Sequence, residues 1–305
     1  MFDPRVTERR NPRTANIDLA TAREIVEIIA REDETVPGIV ASQSAEIAMA
    51  IDFAVAAFRQ GGRLFYVGAG TSGRLGVLDA SECPPTFGTD PEMVQGIIAG
   101  GVPALTRSQE GAEDSAEQGA RELDDRSVTE RDFVVGIAAS GTTPFVRGAL
   151  RRARAIGSRT AIIACTPPPE SLLALCDVAI LPVVGPEVVT GSTRLKAGTA
   201  TKLVLNTITT GAMILLGKTY GNLMVDMRAT NAKLTDRAER IIIEVTGCSR
   251  ARAREQLELA GGTVKTALVM EILGVASEDA ARLLAEKGGV IRRVIPGTPP
   301  SISGD

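Results

Sequence analysis

Residues 64–88 constrain the fold of this chain most, because an apolar run leads there into a glycine-rich turn. The run 64–67 has the length of a buried strand and stops at Gly68. In the turn that follows, Thr71 or Ser72 is predicted to cap a short helix over 72–80. The unpaired N–H groups of a first helical turn carry a positive partial charge, so this turn suits an anion such as phosphate.

The same turn also fits the dinucleotide fingerprint G-x-G-x-x-G, which is a weak signal when it stands alone. An NAD site needs an acidic residue about 20 positions further on, at the end of the second strand. Here the next apolar run, 94–99, ends in two glycines, and no carboxylate stands there. The Walker pattern is absent as well, so the sequence argues against both kinds of nucleotide site.

Histidine is absent from all 305 residues, which narrows the possible chemistry further. Histidine-based triads and histidine-ligated metal sites are excluded, so a general acid or base must be Glu, Asp, Lys, Tyr or Cys. The net charge of -3 gives no general attraction to nucleic acid or to an anionic membrane surface. Without a membrane-length apolar run or a C-x-x-C pair, we expect a cytoplasmic chain with reduced thiols.

Strand-like and helical patterns alternate through the middle of the chain. This alternation predicts an α/β fold, with a parallel sheet sandwiched by helices. Further strands are predicted at 94–99, 133–139, 160–165 and 178–183. Helices are predicted at 72–80, 103–122, 144–155, 169–175 and 192–216. Ligands of such sheets bind beyond the carboxyl ends of the strands.

The two ends of the chain differ from this central region. A polar arm and helices at 17–32 and 39–59 predict N-terminal helices, and we assign 1–53 to that region. The sheet region is assigned to 54–217. A small C-terminal helical bundle is predicted over 236–295, with helical patterns at 236–246, 249–260, 263–273 and 277–287. Residues 296–305 are predicted to be a frayed tail.

A second strand end repeats the pattern of the first. The apolar run 133–139 leads into Ser140-Gly141-Thr142-Thr143, and Pro144 suits the first position of a helix. Because the carboxyl ends of parallel strands meet at one edge, the two hydroxyl-bearing turns are expected side by side. Two ordinary capped helices would explain the pattern, but paired hydroxyl turns favour a phosphate site.

A third segment, 185–199, precedes the long apolar helix. Within it, Ser192, Arg194 and Lys196 can face an anion at the start of that helix. A solvated first turn explains these residues equally well. The helix itself is apolar nearly all round, which predicts that it is buried.

Two sets of carboxylates are candidates for acid–base chemistry. Glu82 precedes Pro84 and Pro85, so it is predicted to sit in a stiff loop after the short helix. If 103–122 is helical, Glu110 and Glu113 lie three apart on one face. A solvated surface acid is the alternative for each. Without histidine, two carboxyl groups whose pKa values differ form the natural acid–base pair.

These motifs together resemble the N-acetylmuramic acid 6-phosphate etherase family. The resemblance covers nearly the whole chain and rests on residues 16–18, 33–37, 68–75, 79–86, 110–115, 190–199 and 221–226. Thr142 stands where some members carry Arg, which affects phosphate contacts at most.

The resemblance implies a sugar-isomerase (SIS) core, a homodimer, and no metal or cofactor. It implies a lyase that converts N-acetylmuramate 6-phosphate and water to N-acetylglucosamine 6-phosphate and D-lactate, in cell-wall sugar recycling. Glu113 would take the C2 proton, and Glu82 would protonate the departing ether oxygen and then activate water. The substrate-binding residues that we predict are Gly70, Thr71, Ser72, Ser140, Gly141, Thr142, Thr143, Glu187, Ser192 and Lys196.

Two other functions fit the same fold. A non-catalytic sugar-phosphate sensor, similar to glucokinase regulatory protein, would not need both glutamates. An aldose–ketose isomerase also uses a glutamate base at C2. Product mass separates the enzymes, because isomerisation conserves composition whereas the etherase reaction releases lactate.

Overall fold

The computed structural model describes residues 5–227 and 232–295. Its helices are α1 (Ala22–Asp33), α2 (Val36–Ala41), α3 (Ser44–Arg59), α4 (Gly70–Phe87), α5 (Ala116–Asp125), α6 (Pro144–Ile156), α7 (Glu170–Leu173), α8 (Lys196–Leu215), α9 (Ala232–Thr246), α10 (Arg250–Leu259), α11 (Val264–Leu273), α12 (Ser277–Glu286) and α13 (Ile291–Val294). Its strands are β1 (Leu64–Gly68), β2 (Val94–Ile98), β3 (Phe133–Ile137), β4 (Arg159–Ile163), β5 (Val178–Ile180), β6 (Thr219–Tyr220) and β7 (Leu223–Met224). The predicted tail at 296–305 lies outside the described residues.

Five strands form one parallel sheet in the order β2-β1-β3-β4-β5. β1 pairs on one side with β2 and on the other with β3, so Gly68 lies opposite both Ile98 and Ile137. The loops after β1 and β3 therefore leave the sheet next to each other. The predicted α/β fold with a parallel sheet is confirmed.

Glycines let α4 lie directly on one face of this sheet. A Cβ on Gly73 would lie 2.7 Å from the Ile98 side chain, and one on Gly76 would lie 2.9 Å from Tyr66 Cβ. From the strand side, a Cβ on Gly96 would lie 2.5 Å from Val77 Cα. Such distances are shorter than any Cβ tolerates, so the backbone at each of these glycines packs directly against the facing element.

Helix α6 covers the opposite face of the sheet. A Cβ on Gly136 of β3 would lie 2.6 Å from Val146, and Phe145 and Leu150 are fully buried beside it. Phe65 and Val67 of β1 belong to the same apolar cluster, whereas Tyr66 points to α4. The alternation along β1 thus places helices on both faces, as predicted.

The structure corrects two predictions about the site elements. Helix α4 runs from Gly70 to Phe87, so Glu82 lies in a helix and not in a loop. Pro84 and Pro85 occupy its last turns, and the Gly88 N–H still donates to the Pro84 carbonyl at 2.9 Å. The helix starts before Thr71, so neither Thr71 nor Ser72 is its cap residue.

The predicted helix 103–122 is also wrong. A loop with short 3₁₀ turns at Val102–Leu105 and Ala112–Asp114 replaces its first half, and α5 begins only at Ala116. Gly111 is left-handed at φ 72°, and the Ser115 hydroxyl accepts a hydrogen bond from the Gln118 N–H to cap α5. Ser115 with Gln118 three residues later is a helix-start pattern in the sequence, whereas a left-handed glycine such as Gly111 interrupts a helix.

Chain contacts divide the protein into two units. The first is Met1–Ser81 with Pro91–Thr209, and the second is Glu82–Asp90 with Thr210–Asp305. Residues 1–53, which we predicted as a region of their own, fall within the first unit. Residues 236–295, the predicted bundle, fall within the second.

The second unit contains the helices of the predicted bundle and the antiparallel pair β6–β7, which was not predicted. Its apolar core includes Ile242, Leu268 and Ile291. Inside this unit, the Lys265 ammonium lies 2.7 Å from Asp226 Oδ1 and donates to the carbonyls of Gly217 and Gly289. Burial lowers the pKa of Lys265, and the Asp226 carboxylate acts against that shift.

A buried ion network joins the N-terminal arm of the first unit to the start of α8. Glu32 accepts hydrogen bonds from Lys196 Nζ at 2.7 Å, from Asn11 Nδ2 at 2.9 Å and from the Arg13 guanidinium. Thr14 ties the same arm to the Val188 carbonyl at 2.8 Å. Since these contacts span up to 174 positions, they hold the segment before α8 against the arm.

Among the described residues, no single helix is long and apolar enough to cross a membrane; Ala22–Ala41 and Ser44–Arg59, bent by 61°, meet that criterion only as a pair.

We predict that Gly148→Ala destabilises the protein by about 3 kcal/mol, as overpacking of a rigid contact does. A Cβ on Gly148 in α6 would lie 1.8 Å from the Ala116 carbonyl oxygen in α5, and backbone atoms cannot rotate away. Urea unfolding measures the difference. Gly38→Ala in α2 is the matched control, because no atom lies within 4 Å of its Cβ position, and it should be neutral or slightly stabilising. Equal effects of the two substitutions would contradict the close packing.

We predict that Glu32→Gln costs about 3 kcal/mol at neutral pH, because it removes one member of a buried ion pair. The hydrogen bond from Arg13, helped by Lys196 and Asn11 and opposed by burial, lowers the pKa of Glu32 from 4.5 to about 2. A folded-state pKa below the unfolded value stabilises the fold above pH 4.5, and this contribution is lost as the pH falls toward 2.

Urea unfolding from pH 7 to pH 2.5 should therefore show the difference between wild type and Glu32→Gln shrinking below about pH 4.5. Glu27→Gln on the same helix is the control, because Glu27 pairs with Arg23 on an exposed surface. That control should change stability by less than about 0.5 kcal/mol at every pH. A difference for Glu32→Gln that stays constant with pH would refute the role of the ion network.

Candidate functional site

The loops after β1 and β3 form a cavity of about 240 Å³, which we call the hydroxyl cavity. Its lining includes Thr71, Ser72, Ser140 and Thr143, together with Gly70 and Glu113. Hydroxyl groups from two helix starts thus face one space, as the sequence predicted for the two turns. The first N–H groups of α4 and α6 have no partner inside their helices, which gives this region a positive partial charge.

The local backbone explains why these hydroxyls remain available. Thr143 precedes α6 in the cap position, but its side chain makes no capping hydrogen bond. Gly141 adopts φ 69° and lies tightly against Thr166 and Pro168, so a side chain at Gly141 would strain the loop. Ser140 Oγ lies 3.2 Å from Thr142 Oγ1, and Thr142 itself is exposed. Gly141 and Thr142 therefore shape the turn, whereas Ser140 and Thr143 line the cavity.

A second cavity of about 320 Å³ adjoins the first, and we call it the Arg74 cavity. Arg74, Ser108, Gln109 and Glu110 contribute its polar groups. Gly70 and Glu113 line both cavities. The carboxylate of Glu113 therefore stands where the two spaces meet.

Glu113 reaches this position from an irregular loop. It lies in the 3₁₀ turn Ala112–Asp114, directly after the left-handed Gly111, and it is exposed. Glu110 lies before that turn and lines only the Arg74 cavity. The two glutamates share a cavity although they do not share a helix face. Their neighbourhood is thus as predicted, while the predicted reason was wrong.

Glu82 lies near the end of α4 and is exposed. Three residues earlier on the same helix, Asp79 is buried and accepts hydrogen bonds from Asn206 Nδ2 at 2.6 Å and Thr209 Oγ1 at 3.2 Å. Burial raises the pKa of Asp79 above its ordinary value, and the bonds from Asn206 and Thr209 oppose the shift. These contacts fix α4 against α8. The pairing of Glu82 with Glu113 remains a prediction.

Glu187 and Lys196 occupy buried positions with partners inside the protein. The Glu187 carboxylate accepts the Lys196 and Ala197 N–H groups at 3.0 and 2.9 Å, so it caps α8. Burial raises the pKa of Glu187, and these backbone hydrogen bonds act against it. The Lys196 side chain is 1% exposed and pairs with Glu32. The contacts of Glu187 with the helix N–H groups and of Lys196 with Glu32 stabilise the start of α8. Their contact with substrate stays a prediction.

Several residues that line the cavities were not predicted as site residues. Among them, Arg5 and Glu8 from the arm and Thr193 from the segment before α8 line the hydroxyl cavity, and Arg74 lines its neighbour. Thr193 is adjacent to Ser192, whose contact with substrate stays a prediction. A Cβ on Gly198 would lie 3.6 Å from the Thr71 methyl group, so this segment does approach the first turn. Arg74 and Thr193 lie inside the motifs 68–75 and 190–199, whereas Arg5 had no sequence signal.

Within the described parts of the chain, no group of three or more Cys, Asp or Glu side chains is placed to hold a metal ion. Chemistry in these two cavities would be carried by carboxylates, hydroxyls, guanidinium groups and backbone N–H groups.

Comparison with known proteins identifies the family of this chain. Residues 46–154 match the glucokinase regulatory protein N-terminal SIS domain family. The N-acetylmuramic acid 6-phosphate etherase of Rhizobium rhizogenes is 54% identical over 95% of this chain and 94% of its own length. The etherase of Klebsiella aerogenes is 52% identical over 96% of this chain and 97% of its own length. The etherase of Gloeobacter violaceus is 56% identical over 94% of this chain and 93% of its own length. Identity this high along almost the whole of both chains means that this protein belongs to the N-acetylmuramic acid 6-phosphate etherase family.

Proposed function

We propose that this protein cleaves the D-lactyl ether of N-acetylmuramate 6-phosphate with water, giving N-acetylglucosamine 6-phosphate and D-lactate. The observation that carries the proposal is the position of Glu113, which lines both the hydroxyl cavity and the Arg74 cavity. A sugar whose phosphate lies among the hydroxyls would present its ring carbons to that carboxylate. The relatives at 52–56% identity carry the name of this activity.

The hydroxyl cavity supplies the binding energy for the phosphate. Ser and Thr hydroxyls and the free N–H groups of two helix starts are the donors that a phosphate requires. These contacts are remote from the reacting carbons, so they serve to hold C2 and C3 in position. Arg5 and Glu8 also line this cavity and bring one charge of each sign to it.

The reaction requires two carboxyl groups with different protonation states. In the open-chain sugar, the aldehyde acidifies the C2 proton, which Glu113 removes as general base. The C3–O bond then breaks, Glu82 gives its proton to the lactyl oxygen, and an unsaturated aldehyde forms. Glu82 then takes a proton from a water molecule while the oxygen of that water bonds to C3. C2 recovers a proton to complete the addition. General acid–base groups of this kind contribute roughly 10²- to 10⁴-fold each.

We also propose that the protein acts as a homodimer in the cytoplasm, in the recycling of cell-wall amino sugars. The four cysteines are free thiols, which suits a reducing compartment. Light scattering after size-exclusion chromatography measures the subunit number.

We predict that the purified protein releases lactate from N-acetylmuramate 6-phosphate without added metal or cofactor. In D₂O, deuterium should appear at C2 of the product sugar, and in H₂¹⁸O the label should appear at C3 and not in lactate. Mass spectrometry of both products measures this. Isomerisation without lactate, or binding without turnover, would favour the isomerase or the sensor. Labelled oxygen in lactate would mean attack at the lactyl carbon.

We predict different isotopic results for the two glutamate variants. Glu113→Gln should lose C2 exchange by at least about 10²-fold, because the general base is gone. Glu82→Gln should lose lactate release by a similar factor while C2 exchange continues, because proton removal precedes the step that needs the acid. Deuterium NMR and a lactate assay measure the two steps. Glu117→Gln, in an exposed ion pair with Arg121, is the matched control. Undiminished exchange in Glu113→Gln would refute its role.

A further inference from the structure

The Arg74 cavity has a single basic side chain among the described residues that line it, and that residue is Arg74. Its Nε donates to the Leu105 carbonyl at 3.1 Å, which anchors the guanidinium group. Within the described residues, Arg74 is in no ion pair with a carboxylate. The half-buried guanidinium group therefore keeps its two terminal nitrogens for a ligand in the cavity.

The two cavities offer different chemistry to an anion. The hydroxyl cavity has five Ser and Thr side chains and two helix starts, which suit the many oxygens of a phosphate. In the Arg74 cavity, mostly small residues surround one planar guanidinium group, which matches a carboxylate through two parallel hydrogen bonds.

The position of Glu113 relates these cavities to the substrate of the proposed reaction. That substrate carries a phosphate on C6 and a carboxylate on the ether group at C3, so its two anions extend in different directions from C2. With the phosphate among the hydroxyls and C2 at Glu113, the ether group falls into the Arg74 cavity. There a carboxylate would lie near Glu110 and Glu113, and repulsion would oppose binding unless a cation compensates.

We propose that Arg74 binds the carboxylate of the lactyl group, and that this contact makes the site specific for sugar phosphates whose 3-O-substituent bears a carboxylate. The inference rests on the proposed function. Sugar phosphates without such a group leave the guanidinium without an anion. Arg74 is a specificity-determining residue that touches the leaving group, while the proton transfers remain with the two glutamates.

The experiment compares two substrates, N-acetylmuramate 6-phosphate and its analogue with a carboxamide in place of the lactyl carboxylate. We expect the wild-type kcat/KM to favour the acid by about 10- to 100-fold, the range for a hydrogen bond to a charged group. Arg74→Gln should lose that preference, with kcat/KM falling for the acid and changing less than about threefold for the amide. Arg74→Lys, which keeps the charge without the fork, should be intermediate.

Two controls give every outcome a meaning. The product N-acetylglucosamine 6-phosphate has no lactyl group, so its inhibition constant should be the same for wild type and Arg74→Gln. A higher inhibition constant for Arg74→Gln would mean that Arg74 binds the phosphate, and this result would overturn the proposal. Arg107 is an exposed arginine two residues after Leu105, the backbone partner of Arg74. Arg107→Gln should leave kcat/KM for both substrates unchanged.

An equal loss of kcat/KM for acid and amide in Arg74→Gln would mean a structural role and also overturn the proposal. If Arg74→Gln does not fold, an Arg74→Lys variant that keeps the full preference for the acid over the amide overturns the proposal. A wild-type protein with no preference for the acid overturns it as well. A wild-type protein that releases no lactate at all fails the proposed function, whereas lactate release with a preference independent of Arg74 fails this inference alone.

Discussion

The absence of Cβ atoms between α4 and the sheet is the constraint on which the site depends. Gly73, Gly76 and Gly96 allow backbone contact where any side chain would hold the helix away from β1 and β2. The first turn of α4 is thereby brought to the carboxyl end of β1, next to the loop after β3. A helix displaced by the width of a methyl group would withdraw its N–H groups and hydroxyls from the same cavity.

The electrostatics of the site are local and do not follow from the charge of the whole chain. A protein with a net charge of -3 does not attract a sugar that carries two anionic groups. Helix starts and Arg5 bring positive charge to the hydroxyl cavity, and Arg74 brings it to the adjoining cavity. Glu8, Glu110 and Glu113 bring negative charge to the same linings, so each cation stands close to a carboxylate.

Buried polar groups fix the helices and the segment that carry the cavity-lining residues. Glu187 caps α8, Lys196 pairs with Glu32, and Asp79 joins α4 to α8. Charges like these are costly to bury unless they are paired and hydrogen-bonded. Their pairing fixes the segment before α8, in which Thr193 lines the hydroxyl cavity. These buried groups thus hold the elements that carry the cavity-lining residues.

Local sequence by itself determined the strands of the parallel sheet, most helices and the two hydroxyl turns, because apolar periodicity and glycine turns act between near neighbours. The absence of histidine limited the chemistry to carboxylates, and the motifs of residues 68–86 and 110–115 identified the family. Only the tertiary structure decided that Lys196 is an internal partner of Glu32 and that Arg5 and Thr193 line the cavity. Contacts across more than a hundred positions depend on how the packed elements meet, and no local pattern records them.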